Sequence, residues 1–322
     1  MASIAFPSLA KKATLTDGTT YGYVCVRPQS PSKPTFLLLH GYPSSCFDWR
    51  HQIAGLQELG YGVIAPDLLG YGDTDKPTDL AAYRLKAMCA HMVEILDIED
   101  ISRSIAVGHD WGSTLASRLA TYQHHRFYGI VSIGVGYFPP DGTRDMGPLA
   151  DIIGYMKWHN TEQAIADANE HPASVFSLIY PEDPLVFKNV LIPHDKAAEF
   201  VRAGTVLPLP PWYSLAEYTV RDRIFSKDGY AGPLCWYRTA MRGFNPPDEA
   251  AVKDEDKACP LPLLFIAADK DHVSVAEMMI AATQASVPDL RIERLDTGHW
   301  VQLEKPEEVT RLIVRFAEEV VV

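Results

Sequence analysis

Residues 107–113 read Val107-Gly108-His109-Asp110-Trp111-Gly112-Ser113, a carboxylate set between two glycines where a strand gives way to a helix. A Gly-x-nucleophile-x-Gly pattern marks a sharp turn that displays its central side chain. Small residues at both ends let strand and helix pack closely around it. Serine usually holds the central position, and an aspartate there changes the electrophile. An unperturbed Asp has a pKa of about 3.9, so it is anionic near neutrality without help from a base. A carboxylate can displace a leaving group from a saturated carbon and leave an alkyl ester on the enzyme. On an ester substrate it would give a reactive anhydride, a poor route to hydrolysis. Asp110 therefore points to carbon–oxygen or carbon–halogen cleavage at an sp³ carbon. The competing role for an Asp at a helix start is an N-cap; the flanking glycines count against it.

Two further motifs suit the same chemistry. His40-Gly41-Tyr42-Pro43 follows a buried apolar run, where a Gly-containing turn can hold backbone N–H donors toward an oxyanion. The donors expected are the N–H groups of Tyr42 and of Trp111, the residue after the nucleophile. Asp296-Thr297-Gly298-His299-Trp300 sits after the last expected strand. A triad in the chain order nucleophile, acid, histidine expects its base there, at His299. Ala267-Ala268-Asp269-Lys270-Asp271-His272-Val273 offers two carboxylates, one of which should orient His299 and stabilise its imidazolium. The loop Gly134-Val135-Gly136-Tyr137 carries no acid that could take the role instead.

The elements that must position these residues are legible as alternating apolar strands and helical stretches. That alternation predicts a mostly parallel sheet covered on both faces. Strands are expected at Thr20–Val26, Thr35–Leu39, Gly62–Ala65, Ser104–Val107, Gly129–Ile133, Leu263–Ala267 and Arg291–Leu295. Helices include Leu80–Leu96 and Glu307–Val320. From about Tyr137 to Cys259 no strand series appears, and Pro-rich stretches mark both edges. This predicts an inserted helical lid over the C-terminal ends of the strands, where open α/β sheets bind ligands.

A net charge of −12 argues against nucleic acid or an anionic membrane as partner. Five cysteines, odd in number and without a Cys-x-x-Cys pair, fit free thiols in a reducing compartment. No stretch reads as a signal peptide or a span of about 20 apolar residues. The expectation is a cytoplasmic protein. The 11 histidines include no zinc-type spacing, and no phosphate-binding loop occurs.

Through His40-Gly41-Tyr42-Pro43, Gly70-Tyr71-Gly72-Asp73-Thr74-Asp75-Lys76-Pro77, Gly108-His109-Asp110-Trp111-Gly112 and Gly298-His299-Trp300, the sequence resembles the soluble epoxide hydrolases of the α/β-hydrolase family. The resemblance covers essentially the whole chain. It implies the α/β-hydrolase fold, with core segments 1–136 and 260–322 and a helical lid at 137–259. In that family the acid is an Asp followed by one residue and a small apolar one, which selects Asp271 over Asp269. It also implies two lid tyrosines that donate hydrogen bonds to the epoxide oxygen. Leu234-Cys235-Trp236-Tyr237-Arg238 assigns one to Tyr237, and Gly154-Tyr155-Met156-Lys157-Trp158 the other to Tyr155. His40, Pro43, Trp158 and Trp300 are expected on the substrate pocket.

The implied reaction converts a small-molecule epoxide to a vicinal diol, with no cofactor and no metal, in a monomer or homodimer. Two alternatives stay open. A haloalkane dehalogenase shares the Asp turn and a following Trp, and a non-catalytic receptor could keep the fold and pocket. The tyrosine pair favours the epoxide. An opening epoxide leaves an alkoxide that needs a proton or hydrogen bond, which a neutral phenol with a pKa of about 10 can supply. A halide needs neither.

Overall fold

A computed structural model describes residues 1–321. Eight strands form one sheet: β1 (Ala10–Thr14), β2 (Thr20–Val26), β3 (Thr35–Leu39), β4 (Gly62–Pro66), β5 (Ser104–His109), β6 (Phe127–Ile133), β7 (Leu263–Ala268) and β8 (Leu290–Leu295). Their order is β1-β2-β4-β3-β5-β6-β7-β8. The β1–β2 and β2–β4 pairs are antiparallel and every other pair is parallel. The mostly parallel sheet expected from the sequence is borne out. The first strand was not anticipated, because Ala-Lys-Lys-Ala-Thr is half exposed at the sheet edge and carries no apolar run.

The central strands are apolar on both faces because both faces are covered. Successive side chains alternate. Phe36 and Leu38 of β3 join one core with Ile105, Val107, Leu264 and Ile266. Leu37 and Leu39 join the opposite core with Ala106, Leu263 and Phe265. The first core is closed by helix Pro306–Val320, whose Val309, Leu312, Ile313, Phe316 and Ala317 recur at helical spacing. The second is closed by helices Leu85–Ile98 and Trp111–Gln123. Each fully buried Leu, Ile or Phe contributes roughly 1.5–3 kcal/mol. The expected helix Leu80–Leu96 is divided. A 3-10 turn ends at Tyr83, Arg84 is extended, and the α-helix begins at Leu85, whose N–H donates to Asn245 Oδ1 at 3.0 Å.

Between β6 and β7 the described chain is helical, without a strand. This segment is fastened to the sheet at several points. The Trp236 indole donates to Leu69 O at 2.9 Å, and Thr239 donates to Leu80 O at 3.0 Å. The Tyr180 hydroxyl donates to Asp48 Oδ2 at 2.7 Å, and Arg118 meets Glu249 at 2.7 Å with both side chains buried. Trp300 stacks flat on Tyr180, ring centroids 4.0 Å apart. These contacts seat the helical segment against the stretches that follow β3, β4 and β8. Among the described residues no helix is long and apolar enough to cross a membrane.

Candidate active site

Asp110 stands between β5 and helix Trp111–Gln123. Its φ of 55° and ψ of −120° put a non-glycine residue in sparsely populated backbone space. The turn is that tight because its ends nearly touch. A Cβ on Gly108 would stand 2.2 Å from Gly112 O, and one on Gly112 would stand 2.0 Å from Leu39 O. Asp110 occupies the N-cap position, yet its carboxylate makes no cap hydrogen bond. It turns instead toward the His40–Pro43 loop, where the Tyr42 N–H donates to Oδ1 at 2.8 Å. Burial pushes the Asp110 carboxyl up from its ordinary range, while His299 and the N–H groups of Trp111 and Tyr42 pull it back.

His299 follows β8 and faces Asp110, Nε2 to Oδ2 3.8 Å. Its Nδ1 meets Asp271 Oδ2 at 2.7 Å. Asp271 is fixed in turn, its Oδ1 accepting from the N–H groups of Val273 at 2.8 Å and Ser274 at 3.2 Å. Burial opposes charge on His299, but Asp271 and then Asp110 outweigh it and raise the imidazole to about 9. Asp271 moves the opposite way. Burial would raise it, and His299 with the two N–H donors holds it below its ordinary value. Asp269 is elsewhere, on the surface 2.8 Å from Arg294, and Lys270 pairs with Asp296 at 2.8 Å.

Two more groups hold the histidine loop. Glu304 accepts from the Gly298 N–H at 2.8 Å and the Trp300 N–H at 3.2 Å. Buried His109 meets His299 O through Nε2 at 2.8 Å. Burial lowers His109 to about 3, so it stays neutral and donates that bond.

The helical segment brings Tyr155 and Tyr237 over Asp110. Tyr155 lies on helix Gly154–His159 and Tyr237 on helix Ala231–Met241. Their rings meet edge to face, centroids 5.9 Å apart. Burial raises both phenols above the ordinary tyrosine value, and the Asp110 charge adds to it. Both therefore stay protonated near neutrality. With Asp110 and His299 they line a small cavity, completed by Tyr42, His159, Ile179, Phe187, Leu191 and Val273. Asp271 stands behind His299.

Four residues expected on the pocket do not line this cavity. His40 is turned into the core, where Nε2 accepts from the Leu68 N–H at 3.0 Å and Nδ1 meets Gly41 O at 2.9 Å. Pro43 faces the fastening, its carbonyl accepting from Arg221 at 3.2 Å and lying 3.0 Å from the Tyr180 hydroxyl. Trp158 donates to Asp167 at 3.1 Å, and Trp300 donates to Ile179 O at 2.6 Å. The polar atoms of the His40 and Trp158 rings meet partners outside the cavity lining, and the Trp300 indole meets the backbone carbonyl of Ile179. His159 was missed. Its signal was its spacing, four residues after Tyr155 on the same helical face. Among the described residues, no cluster of three or more His, Cys, Asp or Glu could hold a metal ion.

A family model described as the alpha/beta hydrolase fold matches residues 34–306. Epoxide hydrolase A of Mycobacterium tuberculosis is 30% identical over 304 residues, 90% of this chain and 92% of that protein. Bifunctional epoxide hydrolase 2 of the mouse is 29% identical, over 93% of this chain. The chain spans only 55% of the length of that mouse relative. Among solved structures, an epoxide hydrolase from an endophytic Streptomyces is 27% identical with a TM-score of 0.82, covering 96% of this chain and 95% of the other.

Proposed function

The chain belongs to the α/β-hydrolase fold family, and on that premise we propose that it is an epoxide hydrolase, which forms vicinal diols through an ester on Asp110. One observation carries the reading. A nucleophile-turn carboxylate and two neutral phenols face each other across one small cavity, with a carboxylate-backed histidine beside them. That set answers the demands of epoxide opening, which needs an anion at carbon and a proton or hydrogen bond at the departing oxygen.

In the first step Asp110 attacks an epoxide carbon through Oδ2, the oxygen left free when Oδ1 accepts from Tyr42. Tyr155 and Tyr237 hold the ring oxygen as it takes up charge, and one of them protonates it. The product is a hydroxyalkyl ester of Asp110. Ester formation also changes His299. The ester is uncharged, so one of the two carboxylates holding the imidazolium is gone and its pKa falls. Neutral His299, oriented by Asp271, then takes a proton from water, which adds to the ester carbonyl. The N–H groups of Tyr42 and Trp111 are proposed to hold the resulting oxyanion. Collapse releases the diol, its leaving oxygen taking the proton back from the His299 imidazolium, and the proton of the re-formed Asp110 carboxyl returns to the tyrosinate, restoring the carboxylate. The helical segment 137–259 acts as a lid that carries the two tyrosines. Five buried free thiols suit a reducing compartment, and we assign the protein to the cytoplasm.

The test is product analysis with purified protein, an aryl epoxide and a bromoalkane being run side by side. Diol without bromide is the expected result. Bromide without diol would move the assignment to haloalkane dehalogenase and remove the proposed work of the tyrosines. A ligand bound unchanged over long incubation would favour a receptor.

A further inference from the structure

His159 lies on the cavity wall, one helical turn beyond Tyr155, and only 2% of it is exposed. Its ring sits against Tyr237 at 4.6 Å, Tyr42 at 4.9 Å and Tyr155 at 5.4 Å between centroids. All three neighbours present aromatic rings, and its Nδ1 is a buried atom without a hydrogen-bond partner. Burial lowers His159 to about 3. The imidazole is therefore neutral across the working range, with one N–H to donate and one lone pair to accept. A buried polar group left unanswered costs free energy that a ligand atom placed against it would return.

We propose that His159 is a specificity residue that hydrogen-bonds an oxygen substituent next to the epoxide ring, so that the enzyme favours glycidyl ethers and 2,3-epoxy alcohols. This rests on the epoxide hydrolase reading given above. The phenols of Tyr155 and Tyr237 are assigned to the ring oxygen, and His159 touches both of them. An oxygen one carbon from the ring therefore comes within reach of the imidazole, whereas a distant one does not. His159 takes no part in bond making or breaking. Its effect is to let one substrate class answer a polar group that a plain alkyl epoxide leaves unpaired.

The experiment compares kcat/KM for phenyl glycidyl ether and 1,2-epoxy-4-phenylbutane, which differ only by an ether oxygen in place of a methylene. The ratio of the two is measured in the wild type, in His159→Phe and in His159→Gln. Any difference in intrinsic reactivity cancels between the proteins. The ratio should drop about tenfold or more in His159→Phe and be largely kept in His159→Gln, which retains a donor and an acceptor. If His159→Phe is too unstable to assay, His159→Met replaces it as an apolar filler. An equal ratio in wild type and apolar variant overturns the assignment and leaves His159 as packing. Turnover of neither compound by the wild type would overturn the enzyme reading and this inference with it.

Discussion

His299 Nε2 stands 3.8 Å from Asp110 Oδ2, too far for a direct hydrogen bond and close enough for one atom of an incoming molecule to lie against both. In the proposed cycle the histidine has no work in ester formation and all of it in ester hydrolysis. His299→Gln should therefore leave the first step running and slow the second on the order of 10²- to 10⁴-fold. Incubated with an epoxide the wild type turns over, the variant should gain the mass of one substrate on the peptide containing Asp110. An unmodified peptide would remove His299 from that role.

In the free protein His299 is raised to about 9, so it is cationic at neutral pH. The ester lacks the Asp110 charge, and the pKa in that state lies lower. Hydrolysis needs the neutral imidazole. Its rate should rise with pH and level off before about pH 9, while ester formation should not rise across the same window. Both tyrosines, raised by burial, stay protonated throughout. Single-turnover measurements between about pH 6 and pH 9 separate the two steps. A hydrolysis rate that is flat or falls over this range contradicts the scheme.

Tyr155→Phe and Tyr237→Phe each remove one donor to the departing oxygen. Each should slow ester formation on the order of 10²-fold, and the double variant should nearly abolish it. Hydrolysis of ester already formed should change little, because the oxyanion of that step is assigned to the N–H groups of Tyr42 and Trp111 instead. A double variant that keeps most of its alkylation rate would leave the phenols without their assigned function.

The two carboxylates after β7 should separate cleanly. Asp271 accepts three hydrogen bonds, one of them from His299. Asp271→Asn should slow ester hydrolysis on the order of 10²- to 10⁴-fold, through loss of the imidazolium's partner and of its tautomer. Asp269 meets Arg294 at the surface, and Asp269→Asn should leave both steps close to wild type. The reverse ranking, read from the same single-turnover traces, would exchange their assignments.

Sequence carried the strand ends well, because each buried strand is an apolar run stopped by a turn and every candidate catalytic residue in the core follows such a stop. Asp110 after β5 and His299 after β8 are legible for that reason. Side-chain direction was not legible. His40 and Pro43 flank the residues that do meet Asp110, yet their own polar atoms bond to Leu68, Gly41, Tyr180 and Arg221. Leu68, Tyr180 and Arg221 come from distant segments and leave no local trace. Trp158 and Trp300 are turned away for the same reason, by Asp167 and Ile179. The break at Arg84 has its cause 160 residues away, in the Asn245 side chain bonded to Leu85. Phe187 and Leu191, from a segment without motif or periodicity to single it out, reach the cavity through a single π-helical turn.

Glu304 offers a test of how far the histidine loop must be held from outside the cavity. Its two carboxylate oxygens take the N–H groups on either side of His299, those of Gly298 and Trp300. An amide at this position has one acceptor and one donor. Glu304→Gln would thus leave one of the two N–H groups facing an N–H₂. A buried donor left unsatisfied costs about 1–3 kcal/mol, visible as a lower unfolding midpoint in denaturant. The His109 bond to His299 O would survive, so the loop should loosen without leaving its place. The kinetic consequence falls on the step that uses the histidine. Ester hydrolysis should slow measurably more than ester formation. Loss of both rates in equal proportion, with stability unchanged, would mean that Glu304 acts on Asp110 or the lid and not on the histidine loop.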